Sequence, residues 1–204
     1  DAISAWLDAA TPEQRLEATR SLDRGAQRRL FQKAKSRRPM TFDDLVPSDV
    51  GSLQEVIHEG WNSLPLLPPL RRFEKRFCRP EGRDDVLFGY NEGITRRLLG
   101  PGYFVAVSTE AKVSWEERGS VVVDYFRTPD LDVVEGWPQV KPNSKGLQVL
   151  VYHRTRDFMR SVSAHVSIGA AYKDQKSLDH YFMLCRQVPA GMPPDGSPQR
   201  APEP

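Results

Sequence analysis

Histidine is the side chain that most often moves protons near neutral pH, and this chain holds four, at positions 58, 153, 165 and 180. His153 stands four residues before Asp157, a carboxylate that can orient an imidazole as a general base. His165 alternates with Ser163 and Ser167, so the three side chains share one face of a predicted strand. If that face lines a cavity, it offers hydrogen bonds to a ligand; if it faces water, it is a solvated surface.

Cys78 is the candidate nucleophile, because Arg76 and Arg79 beside it would lower the pKa of its thiol. A catalytic cysteine also needs a base and an oxyanion donor, and the sequence identifies neither. We therefore expect Cys78 to be a partly buried cysteine that packs beside Phe77. With Cys185 as the second cysteine, the chain has too few for a disulfide scaffold, and both are expected to be free thiols.

The sequence predicts no metal site and leaves any cofactor unknown. The histidines are too widely spaced for a metal-binding pair on one helix, and the two cysteines are far apart. Gly100-Pro-Gly102 precedes a predicted strand, whereas a phosphate-binding loop needs glycines that lead into a helix.

Composition places the chain among soluble globular proteins. Its 204 residues suit one domain, with 39% hydrophobic and 27% charged residues. A net charge of +2 does not favour a nucleic-acid partner, and no apolar run approaches the ~20 residues of a membrane span. The cytoplasm is the favoured location. An exported form stays open, because the chain opens at Asp1 rather than at a methionine.

Helix signals dominate the first eighty residues. Thr11 followed by Pro12 is an N-terminal cap, and Ser52 with Glu55 forms a second capping box. With the spacing of apolar residues, these signals predict four helices, at 12–20, 22–36, 52–60 and 69–79.

The following residues favour strands, with valine, tyrosine and phenylalanine in alternating patterns. We expect strands at 86–90, 103–109, 120–127, 147–154, 162–168 and 180–188, and a turn or short helix at 156–160. The expected fold is α+β, with N-terminal helices packed on a strongly curved antiparallel sheet or partial barrel of five to six strands. Residues 1–80 are the helical part, 81–188 the sheet part, and 189–204 a proline-rich disordered tail.

A strongly curved sheet often encloses an elongated apolar cavity, which favours a non-enzymatic module that binds a small amphiphilic molecule. The ligand-binding candidates are His165, Ser163 and Tyr152, together with Trp61 and Asn62 at a predicted helix-to-loop break.

Two alternatives remain open. The first is an interaction or structural domain without a pocket, because basic residues cluster at 28–38 and 71–79 on predicted helices and would suit a protein partner. The second is an enzyme that uses His153 with Asp157, or His165. The interleaved basic and aromatic residues at 71–77 also resemble a nucleic-acid surface, but on a helix both phenylalanines would face the core, so nucleic acid is not favoured.

Overall fold

The computed structural model describes residues 2–110 and 112–187. Strands whose side chains alternate between the interior and the outer face pair to form a closed barrel. Its eight strands are β1 Val56–Asn62, β2 Arg72–Cys78, β3 Val86–Glu92, β4 Phe104–Ser108, β5 Val121–Asp124, β6 Thr155–Ser161, β7 Val166–Lys173 and β8 Lys176–Arg186. Each strand pairs antiparallel with the next, and β1 pairs with β8 to close the sheet. The expected α+β class with an antiparallel sheet is confirmed, but the sheet closes fully and has eight strands rather than five or six.

Three helices, α1 (Ala2–Ala9), α2 (Pro12–Ser21) and α3 (Arg24–Lys33), pack against the outside of β7 and β8. The capping box that the sequence predicts is formed: the Thr11 hydroxyl accepts a hydrogen bond from the Gln14 amide, and the Gln14 side chain accepts one from the Thr11 amide. The backbone amides of Thr11 and Gln14, which have no acceptor within the helix, are therefore both hydrogen-bonded.

The helices predicted at 52–60 and 69–79 are wrong, because these segments form most of β1 and β2. Phe73 and Phe77 are four residues apart, and that spacing puts two side chains on one face of either a helix or a strand. In the barrel both rings point inward, with Lys75 between them, and strand pairing decides the outcome. The second basic cluster therefore lies mostly on a strand rather than on a helix.

The expectations for 147–154 and 156–160 are also wrong. The apolar run at 147–151 forms a single helical turn with exposed side chains, and β6 begins only at Thr155. The sequence pattern does not reveal strand β6, because two of its outward positions hold charged residues. Arg156 and Arg160 lie over aromatic rings on the barrel surface. The short helical turns are α4 Pro68–Arg71, α5 Arg96–Leu99, α6 Val113–Glu116 and α7 Gln148–Val151.

The predicted hairpin at 103–109 and 120–127 is present as the pair β4 and β5, with α6 between them. The long connection after β5 packs Trp137 against Tyr90 and Tyr103 on the outer face of the sheet. The predicted disordered tail, residues 189–204, lies outside the described residues.

Three cross-strand pairs of glycine and phenylalanine shape the barrel interior: Gly60 with Phe73, Gly89 with Phe104, and Gly169 with Phe182. A Cβ built on any of these glycines would lie within 2.1–2.5 Å of atoms of the facing ring. Glycine is required because each ring lies directly over the neighbouring backbone, an arrangement that compensates for the missing side chain.

The Gly169→Ala substitution should therefore lower the free energy of unfolding by roughly 1–3 kcal/mol, because the Phe182 ring must move within a packed interior. Gly93→Ala is the matched control, since the nearest atoms to its Cβ lie at 3.6 Å, an ordinary contact. Urea unfolding of both variants measures the difference. Equal stability of the two variants would mean that the Phe182 ring does not restrict the space over Gly169.

Candidate functional site

One end of the barrel opens into a cavity, and we call it the mouth end. The connections β1–β2, β3–β4, β5–β6 and β7–β8 all lie there, because consecutive strands of the barrel run in opposite directions. The cavity has a volume of about 480 Å³ and is lined mainly by apolar side chains, among them Leu64, Phe73, Leu99, Val151 and Phe182. Its volume lies in the range of small-ligand sites.

Four polar side chains form the floor of this cavity, and we call them the polar cluster: Lys75, Asn91, Tyr125 and Asp157. The Lys75 side chain is 1% exposed, and its ammonium lies 3.0 Å from Oδ2 of Asp157. The ammonium also lies 5.0–5.8 Å from the ring centroids of four aromatic side chains: Phe73, Phe104, Tyr125 and Phe182. Cation–π attraction and one carboxylate thus replace the water that an ammonium normally binds.

Hydrogen bonds complete the polar cluster. Lys75 donates to Oδ1 of Asn91 at 3.0 Å and to the Tyr125 hydroxyl, while Tyr125 contacts Oδ2 of Asp157 at 3.2 Å. Asn91 donates to the Gly102 carbonyl at 3.0 Å. The three ammonium protons therefore meet three oxygen acceptors, as a buried cation requires.

Burial lowers the pKa of Lys75, and the neighbouring Asp157 carboxylate opposes that effect. Burial raises the pKa of Tyr125 well above its usual range, and Asp157 adds to the rise. Tyr125 therefore stays a neutral hydroxyl near pH 7, and the ammonium and carboxylate balance each other's charge.

Two groups at the floor stay available to a ligand. Oδ1 of Asp157 makes no hydrogen bond with a described residue, since both of the carboxylate's contacts use Oδ2. The Tyr152 hydroxyl likewise has no described partner; its ring stacks on Tyr125 at 5.2 Å between centroids and 23° between planes. Gly102 permits this stacking, because a Cβ there would lie 2.5 Å from the Tyr152 ring. The floor thus presents one acceptor and one hydroxyl.

The residues nominated from the sequence are divided between different parts of the barrel. Tyr152, Asn62 and Asp157 line the mouth cavity. Trp61 points outward, where the Arg71 guanidinium lies 4.3 Å from its ring centroid. His153 lies in the turn after α7 and makes no hydrogen bond or ion pair with Asp157, so the proposed acid–base pair is not assembled.

His165 and Ser163 lie in the β6–β7 connection at the opposite end, away from the cavity. The His165 amide donates to the Ser163 hydroxyl at 3.3 Å, and Nδ1 of the ring lies 3.4 Å from the Arg186 guanidinium. Burial lowers the pKa of His165 to about 4, with further lowering from Arg15 and Arg186. Ser163 and His165 therefore bond to each other, His165 also contacts Arg186, and neither contacts the cavity.

Cys78 is a buried free thiol on the outer face of β2, packed with Val86, Phe88 and Val105. Burial raises the pKa of its thiol to about 12, which is the opposite of an activated nucleophile. The expectation of a buried cysteine is correct, although it lies on a strand and on the face opposite to Phe77.

Lys75 and Asn91 were not identified by sequence reasoning. The one available signal is the alternation Phe73-x-Lys75-x-Phe77, in which a lysine occupies an inward position of a strand. The partner Asp157 comes from β6, and no local pattern connects two residues that far apart. Among the described residues, no group of three or more potential ligands could hold a metal ion.

The Asp157→Asn substitution should destabilise the protein by about 3 kcal/mol, because the Lys75 ammonium loses its counter-charge in a buried site. Arg83→Gln, which breaks an exposed ion pair with Asp85, should cost less than about 1 kcal/mol. Thermal and urea unfolding at pH 7 compare the two. The double variant Lys75→Met with Asp157→Leu should be more stable than Asp157→Asn; if it is not, lost charge pairing does not explain the effect.

His58 gives a pH dependence of stability. Burial lowers its pKa from 6.5 to about 4, although its hydrogen bond to the Leu45 carbonyl favours the charged ring. Between pH 6.5 and 4, His58 therefore binds a proton in the unfolded chain but not in the folded chain. The free energy of unfolding decreases as the pH falls through this range. From pH 7 to pH 5, wild type should lose about 2 kcal/mol more than His58→Gln. Urea unfolding at both pH values tests this, with His153→Gln as the matched variant; identical losses in wild type and His58→Gln would contradict it.

No helix among the described residues is long and apolar enough to span a bilayer. No protein-family model matches the chain, and no curated protein or solved structure shows significant similarity to it. The function must therefore be argued from the geometry of the site.

Proposed function

We propose that the barrel binds a small amphiphilic molecule in the mouth cavity, with the polar end of the ligand against the floor. The observation that carries this proposal is the polar cluster itself. A lysine and an aspartate are buried at the bottom of an open, mostly apolar cavity, where two of the surrounding polar groups have no partner among the described residues. Such a pocket, apolar with a few convergent polar groups, is typical of ligand sites.

The charge balance of the floor selects the kind of polar group. Lys75 and Asp157 neutralise each other, so a ligand anion would face the free carboxylate oxygen and a ligand cation would face the ammonium. A neutral hydroxyl or amide avoids both repulsions. It can donate to Oδ1 of Asp157 and accept from the Tyr152 hydroxyl.

The walls select the rest of the ligand. Phe73 and Phe182 face the lower part of the cavity, and leucines from the connections surround its opening. An aliphatic chain or ring of moderate size would replace water on these surfaces, which favours binding in proportion to the apolar area covered. The favoured class is therefore a neutral amphiphile such as a medium-chain alcohol or amide.

Calorimetric titration with 1-octanol, octanoate and octylammonium tests this selection. We expect 1-octanol to bind most tightly. Tyr152→Phe should weaken octanol binding roughly fivefold, since one hydrogen bond is worth about 1 kcal/mol, while the ring and the cavity remain. If octanoate binds as tightly as octanol, the assignment of a neutral polar end is wrong.

A blocking variant separates binding in the cavity from adhesion to the surface. Ala171 faces inward between Asp157 and His180 and lines the cavity, so Ala171→Phe should abolish octanol binding. Ser108→Phe adds the same volume at a groove on the opposite end of the barrel and should bind like wild type. Native mass spectrometry of protein from its own host should show a retained small molecule that the Ala171→Phe variant lacks.

A further inference from the structure

Exposed aliphatic side chains are concentrated at the mouth end. Fourteen large hydrophobic side chains are exposed among the described residues, and ten of them lie in the connections β1–β2, β3–β4 and β5–β6 around the cavity. Leu178 stands near the start of β8, at the mouth end. Of these eleven, Phe126 lies against Arg156 on the outer wall of the barrel, and Leu131 follows Asp130, which pairs with Arg83 at the opposite end. We call the other nine the collar: Leu66, Leu67, Leu70, Ile94, Leu98, Leu147, Leu150, Val151 and Leu178. Three of the four mouth connections contribute members, and Leu178 stands beside the fourth, so the collar surrounds the opening.

The opposite end differs in its connections, although α1, which is hydrogen-bonded to the β6–β7 connection, exposes Ile3 and Trp6 there. In its three connections between strands, the described residues expose a single large hydrophobic side chain, Val113. Leu98 and Leu150 in the collar are each 70% exposed, and the contact of such apolar side chains with water is unfavourable. Contiguous exposed apolar groups of this kind mark a surface that another apolar phase covers.

Positive charge lies beside the collar. A groove of about 630 Å³ next to the mouth cavity is lined by Arg96, Arg97, Lys141 and Lys145, and none of the described residues that line it is acidic. Arg96 pairs with Glu92 at 2.6 Å, whereas the other three cations form no ion pair with a described residue. Exposed aliphatic side chains beside unpaired cations fit a partner that has an apolar interior and an anionic surface.

We propose that the mouth end docks on an anionic phospholipid bilayer, with the collar inserted among the headgroups and the cations against lipid phosphates. The collar contains only leucine, isoleucine and valine, whereas the centres of protein interfaces are enriched in aromatic residues and depleted in lysine. A docked mouth opens directly onto the acyl region, so an amphiphile can enter without crossing water. This route of entry rests on the proposed function, but docking itself does not.

Flotation with vesicles of phosphatidylcholine alone, or with a quarter of phosphatidylglycerol, tests the docking of the full chain. Wild type should float with the anionic vesicles, at least tenfold more than with the neutral ones, and lose binding as salt rises. Leu98→Ser with Leu150→Ser, and Arg97→Gln with Lys145→Gln, should each reduce binding about tenfold or more.

Matched controls change the same chemistry at the opposite end: Val113→Ser for the aliphatic side chains, and Lys35→Gln with Lys112→Gln for the charge. These variants should bind like wild type. All substituted side chains are exposed, and unchanged thermal unfolding confirms that the variants fold. Equal losses in the control and collar variants, or no flotation of wild type at low salt, would overturn the proposal.

The Ala171→Phe variant separates the two proposals, because a filled cavity should abolish octanol binding and leave vesicle binding unchanged. Light scattering distinguishes a bilayer from a second copy of the chain. A dimer that the collar substitutions dissociate, together with absent flotation, would assign the collar to self-association and reject docking on lipid.

Discussion

A lysine ammonium enclosed in a protein must find a counter-charge and three acceptors, and this requirement organises the barrel interior. Lys75 on β2 obtains them from Asn91 on β3, Asp157 on β6 and the tyrosine that follows β5. Strands that are not neighbours in the sheet are therefore tied together across the interior. Because well-packed apolar residues would be at least as stabilising as a buried ion pair, stability alone does not account for this arrangement. Under the proposed function, the arrangement serves as the polar floor of the ligand cavity.

The interior of an eight-stranded barrel is just wide enough to be filled by side chains or to hold one small ligand. In this barrel side chains fill one half, and the other half encloses the mouth cavity. The half away from the mouth is filled by Phe77, Leu87 and Met159, and residues 40–46 cover that end. Towards the mouth, small inward residues such as Gly60, Gly169 and Ala171 leave space that the phenylalanines only partly fill. The position of the cavity thus follows from where the small side chains stand in each strand.

Local patterns identify the parts of this fold that are decided locally. The Thr11 cap, the helices that follow it and the hairpin of β4 and β5 are confirmed, because capping groups and alternating valines act within a few residues. Strands β1 and β2 were mistaken for helices. Ser52 and Glu55 have the spacing of a capping box directly before β1, and the four-residue spacing of Phe73 and Phe77 fits a strand as well as a helix. Strand β6 was missed because its outward arginines lie over aromatic rings that come from distant segments.

The candidate site shows the same limit. Tyr152 and Asp157 were nominated for their chemistry and Asn62 for its place at a predicted helix-to-loop break, and all three line the cavity. The residue that most defines the floor, Lys75, looked like one member of a basic run. Within that run only the alternation with Phe73 and Phe77 singles out Lys75, and it indicates an inward lysine only if the segment is a strand, which depends on closure of the sheet.

Closure also sets the order in which this chain can fold. His58 in the first strand lies opposite Arg186 in the last, and Arg24 in α3 pairs with Asp179 in β8 at 2.7 Å. As the chain leaves the ribosome, its helices therefore have no surface to cover until β7 and β8 have been synthesised. Such contacts between distant segments slow folding and prolong the exposure of apolar surface. Without β8 the barrel would stay open beside β1, and the helices would lose much of the surface that they cover.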